Sequence, residues 1–197
     1  YLRDINAGTT TQVSLIDTHT EVAANARYPS LSADGRFVVF QSMDQGWDTS
    51  MAPSTSPGSD YIFLRDLQNL KTTLVSVDVL GKSYPNGVNY LHSSGGSGAA
   101  SSISRDGRYI VYNSSSTNLT ADVLDVVNVT VHIFRYDRQS GLNTLISVAS
   151  GGKVLGNTHS ENETISGDGR YVIFQSFAAT LVENDGNDKG DIFRRGP

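Results

Sequence analysis

The chain has 197 residues, a net charge of −5 and no cysteine. That length allows a sizeable core within one domain, and the missing cysteine removes disulfides, thiol catalysis and thiolate metal sites from consideration. An acidic balance without a clustered basic face argues against a nucleic-acid partner, and no apolar run approaches the roughly 18 residues of a membrane-spanning helix.

In chain order, the opening YLRDINAGTTTQVSL, residues 1–15, predicts two short strands near 1–4 and 11–15 that finish a preceding unit. SADGRFVVFQS, Ser32 to Ser42, then sets a Ser and an Asp-Gly pair before Arg, an aromatic residue and a run of β-branched and aromatic side chains. It returns as SRDGRYIVYNS, Ser104 to Ser114, and as SGDGRYVIFQS, Ser166 to Ser176. Gly35, Gly107 and Gly169 suit the positive φ of a tight turn, and Asp34, Asp106 and Asp168 can accept local backbone N–H bonds. The unbroken apolar residues at 37–40, 109–112 and 171–174 predict strands covered on both faces.

A second phrase follows each of these: YIFLRDLQNLKTTLVSV at 61–77, HIFRYDRQSGLNTLISV at 132–148 and DIFRR at 191–195. Asp4 and Asp66 lie 62 residues apart, as do Ser14 and Ser76; Asp66 and Asp137 lie 71 apart, as do Ser76 and Ser147. The stretch from Asp to Ser keeps its length while the rest of the unit varies, which is the behaviour of a hairpin with a fixed turn. Strands are predicted near 27–32, 36–42, 60–66 and 72–77, then near 99–104, 108–113, 131–137 and 143–148, then near 162–166, 170–176 and 191–195. Helix should be scarce, because no segment sustains apolar spacing at i, i+3, i+4.

Repeated units of four short antiparallel strands predict an all-β chain of β-propeller blades. Residues 1–20 would end a preceding blade, 21–80 and 81–150 would be blades, and 151–197 an incomplete one, all within a single repeat region of 1–197. The Ser-x-Asp-Gly-Arg-aromatic phrase, its strand and the following IF-x-RD and TT-x-VSV phrases together resemble the repeat of TolB-type propellers, WD-like blades of bacterial periplasmic and secreted proteins. The likeness covers nearly the whole chain apart from two inserts, MDQGWDTSMAPSTSPGS at 43–59 and GKSYPNGVNYLHSSGGSG at 81–98. These lengthen the units beyond the roughly 40–45 residues of compact WD-type blades. Because a propeller generally needs at least four blades to close, either the polypeptide continues beyond both ends or copies of the chain complete one another's blades. In the second case an exposed edge strand would template a filament.

Several residues are candidates for sites. ENDGNDKGD, 183–191, gathers Asp185, Asn187, Asp188 and Asp191, oxygen ligands suited to calcium, although the loop lacks the spacing of an EF-hand and also reads as a solvated acidic turn. Asn113, Asn118, Asn128 and Asn162 head Asn-x-Ser/Thr sequons; they would carry sugar in a glycosylating cell and are otherwise polar loop residues. Trp47, the one tryptophan, either anchors a glycan or protein partner or folds back to cap its blade. Arg36, Arg108 and Arg170, with Arg3, Arg65 and Arg135 or Arg194, recur in each unit and should hold neighbouring blades together through carboxylates or carbonyls. His132 is expected at the surface, and the four histidines show no metal-ligand spacing.

With no coherent catalytic constellation, the sequence predicts a non-enzymatic extracellular, cell-surface or periplasmic scaffold, working through protein or glycan contacts and in one version assembling into filaments. Its partners would be other proteins, glycans or copies of itself, and it needs no cofactor unless the acidic loop takes calcium. The alternative is a propeller domain of a larger peptidase-associated TolB-type protein, gating a catalytic domain outside this chain.

Overall fold

A computed structural model describes residues 1–15, 25–52, 59–91, 102–121, 130–152, 154–187 and 189–196. Among these residues there are strands and no helix. β1 (Leu2–Asp4) and β2 (Thr9–Thr11) pair as a hairpin. A four-stranded antiparallel meander follows, made of β3 (Ala26–Leu31), β4 (Phe37–Ser42), β5 (Tyr61–Asp66) and β6 (Lys71–Leu74) in that order. The second sheet repeats it with β7 (Asn89–Tyr90), β8 (Tyr109–Ser114), β9 (His132–Asp137) and β10 (Leu142–Leu145). The third contains β11 (Ser160–Ile165), β12 (Val172–Ser176) and β13 (Asp191–Arg195).

The repeated phrases build the same local networks in each sheet. Ser32 Oγ donates to Asp34 Oδ1 at 2.6 Å and accepts the Phe37 amide at 2.9 Å, while Asp34 Oδ1 also takes the Arg36 amide at 3.0 Å. Ser104, Asp106 and Tyr109 repeat this, as do Ser166, Asp168 and Tyr171. Each turn glycine has a left-handed φ, +74° at Gly35, +68° at Gly107 and +72° at Gly169. The fixed hairpin length has a cause as well: Ser76 Oγ accepts the Ile62 amide at 3.0 Å, and Ser147 Oγ accepts the Ile133 amide at the same distance. A one-residue change in the turn would move that serine to the other face.

The sheets stack face to face. Phe37, Phe40, Trp47, Phe63, Leu91 and Tyr112 belong to a core shared by the first and second sheets, and Val111, Ile133, Ile165 and Phe174 to one shared by the second and third. Tyr112 and Val111 are adjacent on β8 and so project to opposite faces, which is why the middle sheet is buried on both. At one end the turns are also joined through the backbone, with the Ala33 amide donating to the Arg105 carbonyl at 3.0 Å and the Arg105 amide to the Gly167 carbonyl at 2.9 Å. Stacked meanders joined at equivalent turns are propeller blades. β4 is buried along its whole length, as its apolar run predicts, but β12 alternates and leaves Ile173 43% exposed.

The innermost strand departs from expectation. Of the strand expected at 99–104 only 102–104 are described, and there the ladder holds through the bridge between Ile103 and Ile110, while β7 pairs with Asn113 and Ser114. In the first sheet the corresponding pairing shifts between Arg27 and Ser30, and in the third between Glu161 and Thr164, with Tyr28 and Asn162 at φ +53° and +57°. The long insert of the second unit therefore enters at the bulge position. A bulge already interrupts the ladder, so an insertion there sacrifices few backbone bonds. Its roots are tied together, since Ser102 Oγ donates to the Leu91 carbonyl and the Leu91 amide donates to Gln41 Oε1 at 3.0 Å.

Candidate functional site

The repeated polar side chains bond both within and between the sheets. In the first unit Arg36 forks onto Asp66, Nε to Oδ1 at 2.9 Å and Nη2 to Oδ2 at 2.6 Å; in the second, Arg108 forks onto Asp137 at 2.9 and 2.8 Å. These pairs join adjacent strands of one sheet, so the turn arginines do not bond across blades as the repeat alone suggested. The strand arginines do: Arg65 Nη1 donates to the Leu15 carbonyl and Arg135 Nη1 to the Gly169 carbonyl. Burial alone would push the Asp66 carboxyl up, but the Arg36 fork and the amides of Asn69 and Gln68 outweigh it and hold it at about 2.

Aromatic rings close the seams between sheets. Phe37 of the first unit lies where a Cβ on Gly107 of the second would be, and Tyr109 stands in that relation to Gly169 of the third. The Arg36 and Arg138 guanidinium carbons lie 4.6 and 4.3 Å from the Phe37 ring centroid, and those of Arg108 and Arg135 each lie 4.7 Å from that of Tyr109. The third unit differs. Gly196 stands where Asp66 and Asp137 stand in the others, so Arg170 has no carboxylate at that strand position.

Three residues that the sequence singled out are interior. Trp47 is fully buried, packed edge-on to Phe40 at 5.3 Å between ring centroids, with its Nε1 donating to Ser42 Oγ at 3.2 Å. Of the two readings for it, capping the blade is the one observed, and no indole surface is left for a glycan or protein. Asp48 continues the plug: it is buried and its Oδ2 accepts the Leu74 amide at 2.9 Å. Asn113 is 1% exposed and donates from its amide to Glu163 Oε2 at 3.2 Å, a site with no room for sugar, which corrects its reading as a glycosylation acceptor. His132, expected at the surface, is also buried, and desolvation, reinforced by His159, lowers its pKa.

Of the remaining sequons, Asn162 is exposed with its amide donating to Gln175 Oε1, and half-buried Asn118 accepts the Asn86 amide. Asn128 lies outside the described residues. In the proposed calcium loop the Asn187 amide donates to Asp191 Oδ2 at 3.2 Å and Asn187 Oδ1 accepts the Lys189 amide, while Asp185 is half-buried and Asp188 lies outside the described residues. Among the described residues no three carboxylates or imidazoles converge on a point.

Sequence reading missed Glu163. It is 1% exposed on β11, its Oε1 and the Oδ1 of Asn113 have no partner among the described residues, and burial, partly opposed by its own backbone amide and Asn113, pushes its pKa to about 7. A lone Glu in a polar run gives no sequence sign of burial.

No protein-family model matches the chain, and no curated protein sequence does. Among solved structures, tricorn protease superposes with a TM-score of 0.46 at 15% identity, over 80% of this chain and 11% of that one. A protein assigned as TolB from Agrobacterium tumefaciens superposes with a TM-score of 0.40 at 14% identity, over 89% of this chain and 59% of that one. The chain thus spans less than two thirds of the length of either.

Proposed function

We propose that this chain is a non-catalytic propeller segment serving as an extracellular, cell-surface or periplasmic scaffold that holds protein or glycan partners or further copies of itself. One observation carries this reading: the turn aspartates and the arginine–aspartate forks that recur from unit to unit are bonded to each other or to backbone. Asp34, Asp106 and Asp168 close turns, Asp66 and Asp137 hold arginines, and Arg135 caps a carbonyl. Residues used in this way specify blade geometry and leave the variable loops to meet partners. Analytical ultracentrifugation over a wide concentration range, beside binding to an array of glycans, tests it. Concentration-dependent association or saturable glycan binding is the expected result. A strict monomer that binds no glycan, or turnover of a peptidase or glycosidase substrate by the purified chain, overturns it.

A further inference from the structure

A cleft of about 310 Å³ opens at the seam between the second and third sheets. Tyr109, Arg135, Asp168, Arg170, Arg195 and Gly196 line it. Three guanidinium groups therefore face one carboxylate, in a chain whose net charge is −5. The carboxylate is already engaged, since Asp168 Oδ1 accepts both the Ser166 hydroxyl and the Arg170 amide.

The first and second units show what this position holds when it is filled. There the turn arginine makes a two-point fork onto an aspartate of the neighbouring strand, Arg36 onto Asp66 and Arg108 onto Asp137. In the third unit the arginine is kept and the aspartate is replaced by Gly196. Among the described residues Arg170 makes no ion pair; its guanidinium carbon lies 5.5 Å from the Tyr171 ring centroid. Arg195 stands where the other units have Arg65 and Tyr136, in strands whose next residue is the aspartate; here Gly196 follows it, and its Nη1 donates to the Ala149 carbonyl at 3.3 Å. Arg135 Nε is buried without a hydrogen-bond partner although its Nη1 is bonded to the Gly169 carbonyl. A buried donor without an acceptor is costly, and a planar guanidinium matches a carboxylate in two-point geometry.

We propose that this cleft is a binding site for a carboxylate group carried by a ligand, which takes the place that Asp66 and Asp137 hold in the other units. Arg170 supplies the fork, Arg195 the second positive charge, and Tyr109 one wall. The proposal goes beyond the scaffold reading and stands or falls separately from it, because it concerns one occupant of one seam.

The test is a titration of the chain with D-glucuronate as the carboxylate probe, D-glucose as its neutral counterpart and inorganic phosphate as a differently shaped anion, read by the arginine Nε–H signals in heteronuclear NMR. Glucuronate is expected to shift the Arg135 and Arg170 signals saturably while glucose leaves them unmoved. Arg170→Gln and Arg195→Gln should each weaken glucuronate binding about tenfold, the loss of one charge-assisted contact. Arg36→Gln, at a fork already filled by Asp66, should leave it unchanged. Thermal melting of each variant separates loss of binding from loss of fold. Saturable binding of phosphate without glucuronate overturns the carboxylate assignment, and the absence of any shift, or wild-type affinity in both cleft variants, overturns the site.

Discussion

Asn113 and Glu163 meet across the boundary between the second and third sheets, the amide nitrogen of one donating to Oε2 of the other at 3.2 Å with both side chains 1% exposed. An ionised carboxylate there has lost its hydration for a single neutral hydrogen bond. With its pKa pushed from 4.5 to about 7, chiefly by burial, Glu163 binds a proton more readily folded than unfolded. Its contribution to stability is therefore full below pH 4.5 and is lost as pH rises toward 7. The loss should amount to about 3 kcal/mol at most. Melting temperature followed by circular dichroism from pH 4.5 to 8 should decline, and Glu163→Gln, whose amide can also donate to Asn113 Oδ1, should flatten the decline and melt higher at pH 8. A wild-type melting temperature independent of pH in that window contradicts the assignment.

The Arg36–Asp66 fork predicts an order of costs. Asp66 also accepts the Gln68 and Asn69 amides, so its removal strips a turn as well as an ion pair. Asp66→Ala should cost about 2 kcal/mol in urea unfolding at neutral pH, and Arg36→Ala less. Because Asp66 is held at about 2, its contribution is present above pH 3.8 and falls away as pH drops toward 2. Equal costs, or the reverse order, would show that the turn amides do not depend on Asp66.

Two glycines with nearly the same backbone separate turn strain from seam packing. A Cβ on Gly35 meets nothing within 4 Å, whereas one on Gly107 would lie within the Phe37 ring of the preceding unit. Gly35→Ala should cost about 1 kcal/mol from its left-handed φ, and Gly107→Ala at least about 2 kcal/mol more from overpacking. Paired denaturation curves measure the difference, and matching costs would mean that Phe37 yields freely.

Trp47 reports on the first seam. Its fluorescence should be blue-shifted, resistant to iodide, and should move to longer wavelength in one step with loss of β-sheet circular dichroism. Trp47→Ala should destabilise the chain by about 3–5 kcal/mol. Iodide quenching in the native state would place the indole outside the core described for it.

Local chemistry made much of this protein readable in one dimension. The Ser-x-Asp-Gly-Arg turn closes through bonds within six residues, from Ser32 to Phe37, so its presence and its repetition follow from sequence alone. The hairpin around Asp66 to Ser76 is also formed by near neighbours in the chain, and with the alternation of turns and apolar runs it suffices to predict all-β blades. Even the vacancy beside Arg170 is written there, as Gly196 in the place of Asp66 and Asp137.

What the tertiary structure alone decided is which polar or aromatic side chains lose contact with water. Asn113 in a sequon, His132 at a strand start and Glu163 in a polar run look solvent-facing by their neighbours in sequence, and Trp47 in a Ser/Gly/Pro-rich insert could be read either way, yet each is buried. Their burial depends on the sheet that stacks against their own, a partner many residues distant. The turn arginines show the same limit: their recurrence revealed that they bond to something, and only the pairing of β4 with β5 and of β8 with β9 placed that partner within the blade. Hydrogen bonding between near neighbours is encoded locally, whereas desolvation is a property of the assembled seam.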